Sequence, residues 1–168
     1  MKNNWTRKIG IVLVSLLLLS ACHWSYAARD LKKSFFENES AFQNAADEFI
    51  QHSESSFLVR FRLTERDKEL YGAGSIVYQA GLAEIVTPGS ISEQELQTIS
   101  QAAFPLFANA DIYGIFVADS VVYFIMQEES GVASYLVYET EGKPIQTNFE
   151  ILEQIQLKEN WYAVTTHD

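Results

Sequence analysis

From Asp111 to Thr166 the chain divides into five strand-like runs, and this stretch constrains the fold more than any other. The runs are Asp111–Val117, Val121–Gln127, Val132–Glu139, Phe149–Leu157 and Trp161–Thr166. Turn-forming residues separate them at Asp119-Ser120, Ser130-Gly131, Glu141-Gly142-Lys143-Pro144 and Lys158-Glu159-Asn160. With two-residue turns at the first two connections, pairing register and faces follow. One face carries Tyr113, Ile115, Val117, Val122, Phe124, Met126, Tyr135 and Val137. The other carries Phe116, Ala118, Val121, Tyr123, Ile125, Leu136 and Tyr138. An antiparallel sheet with one wet face alternates apolar and polar residues, and these strands do not. Both sides must therefore be covered.

The remainder supplies two helices and three more strands. Phe35, Phe42 and Phe49 recur every seven residues, which predicts a helix from about Asp30 to Gln51. Phe57–Leu63 alternates as a strand, Thr64–Gly74 reads as a charged loop, and Ser75–Gln79 with Leu82–Val86 flank Ala80-Gly81 as a hairpin. Ser92 and Glu95 make a capping box, Ile91 and Leu96 a hydrophobic staple, and Pro105 is expected to stop the second helix near Phe104. The expected fold is α+β: an antiparallel sheet of about seven to eight strands with two helices packed on it, one domain over residues 30–168. Two helices cover one side. Barrel-like curling, a partner protein, a second copy or an apolar ligand must close the other. A recognition face with Tyr113, Phe124, Met126 and Tyr135 as anchors is one such solution.

Composition narrows the function. Twelve basic against 22 acidic residues give a net charge of −10, which argues against a nucleic-acid partner. A single Cys excludes an internal disulfide and any Cys-based zinc cluster. That Cys lies in the most specific segment of the chain. Lys2, Arg7 and Lys8 precede an apolar run from Ile9 to Leu19, which as a helix would measure roughly 16 Å. This is too short for a spanning helix and suits the apolar region of a secretory signal. Leu19-Ser20-Ala21-Cys22 follows at once. It resembles the lipobox of bacterial lipoproteins, a branched apolar residue and two small ones before the acylated Cys.

The resemblance implies cleavage between Ala21 and Cys22, lipid on Cys22, a signal peptide over residues 1–21 and a tether over 22–29. A competing site follows Ser25-Tyr26-Ala27. The mature chain would keep nine basic and 22 acidic residues, net −13. At about 0.8 kcal/mol per buried CH₂, the three acyl chains of such proteins hold firmly. His23 stands where an Asp would signal inner-membrane retention. The implied location is thus the bacterial cell envelope: the outer membrane of a two-membrane cell, otherwise the outer face of the cell membrane.

Catalytic motifs are not found. His23, His52 and His167 are scattered and expected in solvent, and no nucleophile elbow, calcium loop or dinucleotide loop occurs. Glu84 and Asp111 are the least ordinary acids. Arg60, Arg62, Arg66 and Lys68 form a basic cluster expected to pair with neighbours such as Glu65 or Glu69. The expectation is a non-enzymatic protein with no cofactor and no metal. Its partners are the membrane, through the lipid, and a protein or a second copy, an immunity or inhibitor type being one version. The alternative is a ligand-binding or catalytic pocket in a cone-shaped sheet, similar to the cystatin-like or NTF2-like class in placing a long N-terminal helix before a sheet.

Overall fold

Eight strands form one antiparallel sheet in the order β2-β3-β1-β4-β5-β6-β8-β7. They are β1 (Phe57–Arg60), β2 (Ile76–Ala80), β3 (Ala83–Thr87), β4 (Gly114–Ala118), β5 (Val121–Glu129), β6 (Val132–Glu139), β7 (Glu150–Lys158) and β8 (Trp161–His167). The computed structural model describes residues 28–52, 56–72, 74–129, 131–142, 145, 147 and 150–167. The expected signal peptide, the expected Ala21–Cys22 cleavage site and residues 22–27 of the expected tether lie outside these. The architecture is α+β with the sheet dominant.

There are four described helices rather than two: α1 (residues 28–37), α2 (Glu39–Gln51), α3 (Glu65–Leu70) and α4 (Glu93–Asn109). The expected first helix is broken at Asn38. There the side-chain amide donates to the Ser34 carbonyl at 3.1 Å, and the backbone N–H is shared between Ser34 and Phe35. The seven-residue phenyl stripe survives the break, with Phe35 and Phe42 stacked 6.2 Å apart. Residues 28 and 29 are already helical, and Ala28 is buried, so the domain begins inside the expected tether.

The expected charged loop contains α3. Its start was visible as Thr64-x-x-Asp67: the Thr64 hydroxyl accepts from the Asp67 N–H, and the Asp67 carboxylate accepts from the Thr64 N–H. β1 ends at Arg60 instead of Leu63. The chain turns off the sheet where the Leu63 N–H donates to Glu84 at 2.8 Å. In α4 the Ser92–Glu95 capping box forms as expected, but Pro105 does not end the helix. A proline there removes only the bond to the Gln101 carbonyl, and Gln101 is exposed to water. Leu106 and Ala110, both buried, draw the next turn onto the core.

Both sides of the sheet are covered by the chain itself, each differently. On the helix side, Leu31 and Phe35 of α1, Phe42 and Phe49 of α2, and Ile99 and Leu106 of α4 pack on Ile115, Val122, Phe124, Leu136 and Trp161. On the other side, Leu63 and Tyr71 close over Leu58, Val86 and Ile125, and Ile145 closes over Val121, Tyr123, Val137 and Val164. Three aromatics run between those two lids: Phe116 to Tyr123 is 5.7 Å and Tyr123 to Tyr135 is 6.3 Å.

The β2–β3 turn falls at Gly81-Leu82 rather than at Ala80-Gly81, because Ala80 pairs with Ala83, whereas the Asp119-Ser120 turn forms as expected and the β5–β6 register does not. Asp119 and Ser120 both take positive φ (50° and 66°), the conformation of a two-residue hairpin between Ala118 and Val121. Glu129 pairs with Val132 across Ser130-Gly131 as anticipated, but a bulge at Met126 shifts the pairing to Ile125↔Tyr135. A one-residue shift sends every later side chain of β6 to the opposite face. Leu136 and Tyr138 therefore join the helix side, and Tyr135 and Val137 the other.

A candidate interaction surface

The four residues expected to share a recognition face do not share one, and the bulge accounts for Tyr135 alone. Phe124 is fully buried in the helix-side core, between Phe42 at 5.2 Å and Trp161 at 5.7 Å. Met126 packs against that core, and Tyr135 lies across the sheet. Only Tyr113, 48% exposed, remains at the surface.

Tyr113 instead belongs to a different group, at one end of the sheet. Arg60 pairs with both Glu84 and Gly114, so Phe61 leaves β1 level with Ala83 and Tyr113. Leu82 occupies the adjoining β2–β3 turn, next to Gly81 with φ of 63°. The Ser100 hydroxyl donates to the Ala80 carbonyl at 2.7 Å, tying α4 to that turn, and Phe104 follows one helical turn later. Phe61, Leu82, Phe104 and Tyr113 are 62%, 59%, 51% and 48% exposed. Four large apolar side chains left open on one rim are more than scattered surface residues require. Sequence reasoning misses this, because it places Leu82 at the start of a strand, where an apolar residue is ordinary, and not in the turn.

Beside the rim, on the face away from the helices, lies an ionic cluster that the sequence showed only in part. Arg60 Nε is 3.0 Å from Asp67 Oδ1, and Nη2 donates to Glu128 Oε2 at 2.9 Å. The Nε–H is misaligned for a hydrogen bond, so its attraction to Asp67 is Coulombic only. Gly114 makes room for this side chain: a Cβ there would meet Arg60 Cγ and the Val59 carbonyl, each at 3.1 Å. Lys68 pairs locally with Glu65, as expected of the basic cluster. Glu84 is half-buried and holds the Leu63 N–H, whereas Asp111 is exposed, with φ of 49°, in the turn out of α4.

Tyr71 closes over this cluster, and its hydroxyl is buried without a hydrogen-bond partner. Burial pushes its phenol well above the ordinary value. The Asp67 carboxylate adds to the shift and the Arg60 guanidinium opposes it. Above about pH 10 the unfolded chain releases this proton while the folded chain keeps it, so stability must fall as pH rises there. Tyr71→Phe should be neutral at pH 7 or stabilising by about 1 kcal/mol, because an unsatisfied hydroxyl is removed. It should also lose less stability than the parent between neutral and alkaline pH. Urea midpoints at both pH values check this; equal alkaline losses would contradict it.

Histidine placement differs from expectation at one position. His52 is not in open solvent but wedged between Glu48 at 3.3 Å and Glu95 at 3.6 Å, joining α2 to the start of α4. His167 is exposed, and His23 lies outside the described residues. Among the described residues no group of three His, Cys, Asp or Glu is placed to hold a metal ion. No described helix is long and apolar enough to cross a membrane. No family model, no curated protein and no solved structure matches the chain.

Proposed function

We propose that this chain is a lipid-anchored lipoprotein of the bacterial cell envelope whose domain binds another protein and is not an enzyme. The lipobox-like Leu19-Ser20-Ala21-Cys22 supports the anchor. His23 after the Cys favours the outer membrane in a two-membrane cell. The exposed rim of Phe61, Leu82, Phe104 and Tyr113 carries the binding reading, since aromatic anchors of this kind dominate interface energetics. A net charge of −10 favours a basic partner and speeds its approach. An inhibitor or immunity role is one form of this. The alternative of a ligand pocket in a cone needs open space under the helices, where Phe35, Phe42, Phe49, Phe124 and Trp161 pack together.

A photo-crosslinking residue at position 61 or 104, in cells making the full-length protein, tests the binding reading. A discrete adduct is expected from both positions and none from position 151 on edge strand β7. An adduct of twice the chain's mass assigns the rim to self-association. The double variant Phe61→Ser/Leu82→Ser should abolish the adduct from position 104 while changing stability by under about 0.5 kcal/mol, as exposed sites do. No adduct from either rim position would overturn the reading.

A further inference from the structure

Helix α1 buries Ala28, Leu31 and Phe35 and exposes Arg29, Lys32, Lys33 and Phe36. The exposed four follow the i, i+3, i+4, i+7 spacing of a single helix face. Phe36 is 47% exposed, and its ring meets Phe35 edge-on at 5.2 Å. The acids on this helix are Asp30 and Glu37, and the latter touches Lys33 only loosely, at 3.9 Å with both side chains mostly in water. Residues 28–37 thus carry a net charge of +1, with three of the nine cations that follow Cys22, while the rest of that mature chain carries −14. Three cations of an acidic protein thus share one exposed face of its first helix, without the buried and cross-strand acids that neutralise Arg60.

We infer that the outward face of α1 lies on an anionic phospholipid surface, with Arg29, Lys32 and Lys33 among the headgroups and Phe36 at their base. This rests on the proposed lipid anchor. Six residue steps lead from Cys22 to Ala28, and at no more than about 3.5 Å each they reach about 21 Å. A lipid on Cys22 therefore delivers α1 to the bilayer before any other part of the domain. Charge complementarity sets the orientation. Anionic headgroups attract the three cations within a screening length of about 8 Å and repel the acidic remainder. A basic helix face with one aromatic residue is the pattern of an interfacial segment. Each cation near such a surface is worth roughly a factor of five in affinity, so three amount to on the order of 100-fold. The result is a domain held in one orientation, with its acidic bulk directed away from the membrane.

Lysine acetylation mapped by mass spectrometry tests this on the full acylated protein, added to vesicles of phosphatidylcholine with or without about 30% phosphatidylglycerol. Acetylation of Lys32 and Lys33 should fall at least about fivefold on the anionic vesicles and recover in about 0.5 M salt, with Lys68 and Lys158 unchanged. Arg29→Gln should weaken the protection of both lysines. Equal acetylation on the two vesicle types would overturn the inference. So would protection seen in native membranes but never in protein-free vesicles, which would give the face to a protein partner. If Cys22 carries no acyl chain, the anchor reading alone fails. The same footprint with the unacylated protein then decides the helix face: protection on phosphatidylglycerol supports it and none overturns it.

Discussion

Replacing Trp161 by alanine should destabilise the domain by about 4 kcal/mol, the largest loss expected of any single substitution here. Trp161 opens β8 and is 1% exposed. Its ring lies 4.9 Å from Phe35, 6.2 Å from Phe42, 5.7 Å from Phe124 and 5.0 Å from Tyr138. Its indole N–H donates to Gln43 at 2.8 Å. One side chain thus joins α1, α2, β5 and β6, and truncation leaves a cavity that none of these can fill by itself. Loss of the aromatic contacts adds to the transfer term, and the Gln43 carbonyl loses its partner. Trp161→Phe should cost about half as much, because a ring remains without its donor. Phe36→Ala, at an exposed position, should stay within about 0.5 kcal/mol. Urea denaturation of the three variants checks the ranking, and a Trp161→Ala cost below about 2 kcal/mol would show that the helix-side core is not built as described.

Arg60→Met should cost about 3 kcal/mol, chiefly through the charge it abandons. Asp67 is 4% exposed and would be left without its nearby cation, while Glu128 at the surface can turn to water. The signature lies in coupling rather than in the single loss. Arg60→Met combined with Asp67→Asn should be less destabilised than the sum of the two variants by about 1–2 kcal/mol, since the amide needs no counter-charge. Gly114→Val should resemble Arg60→Met, because its side chain claims the space that Arg60 Cγ occupies beside the fixed Val59 carbonyl. A double variant that merely adds the two single costs would contradict the ion pair.

The parts of the fold legible in the sequence are those set by neighbours in the chain. The Ser92–Glu95 cap, the phenyl repeat of the N-terminal helices and the Asp119-Ser120 hairpin all act over a few residues, and the structure contains each of them. Thr64-x-x-Asp67 was equally local and equally visible, but the density of charge around it favoured a loop. Pro105 misled because its effect depends on where the Gln101 carbonyl points, and that is a tertiary matter. The Met126 bulge left no mark: Ile125, Met126 and Gln127 suit a strand in either register, and the choice belongs to packing on α2. That slip moved Tyr135 off the expected recognition face, and packing under the helices took Phe124 and Met126.

The candidate rim was hidden for the same reason. Phe61, Leu82, Phe104 and Tyr113 are far apart in sequence, and only the β3-β1-β4 order and the seat of α4 bring them to one end. Arg60 and Glu128 are separated by 68 residues, so no reading of local charge could pair them. The acids nearest in sequence, Glu65 and Glu69, were the natural guess, and Lys68 does pair with Glu65. Covering of both apolar faces, by contrast, was legible, because alternation alone demands it.

The intact mass of the protein extracted from its own membranes tests the central claim most directly. The account predicts a chain beginning at Cys22, heavier than its amino acids by a diacylglycerol group and an amide-linked acyl chain, and lacking that increment when Cys22 is changed to serine. An exported chain that begins at Ala28 with no attached lipid would contradict it.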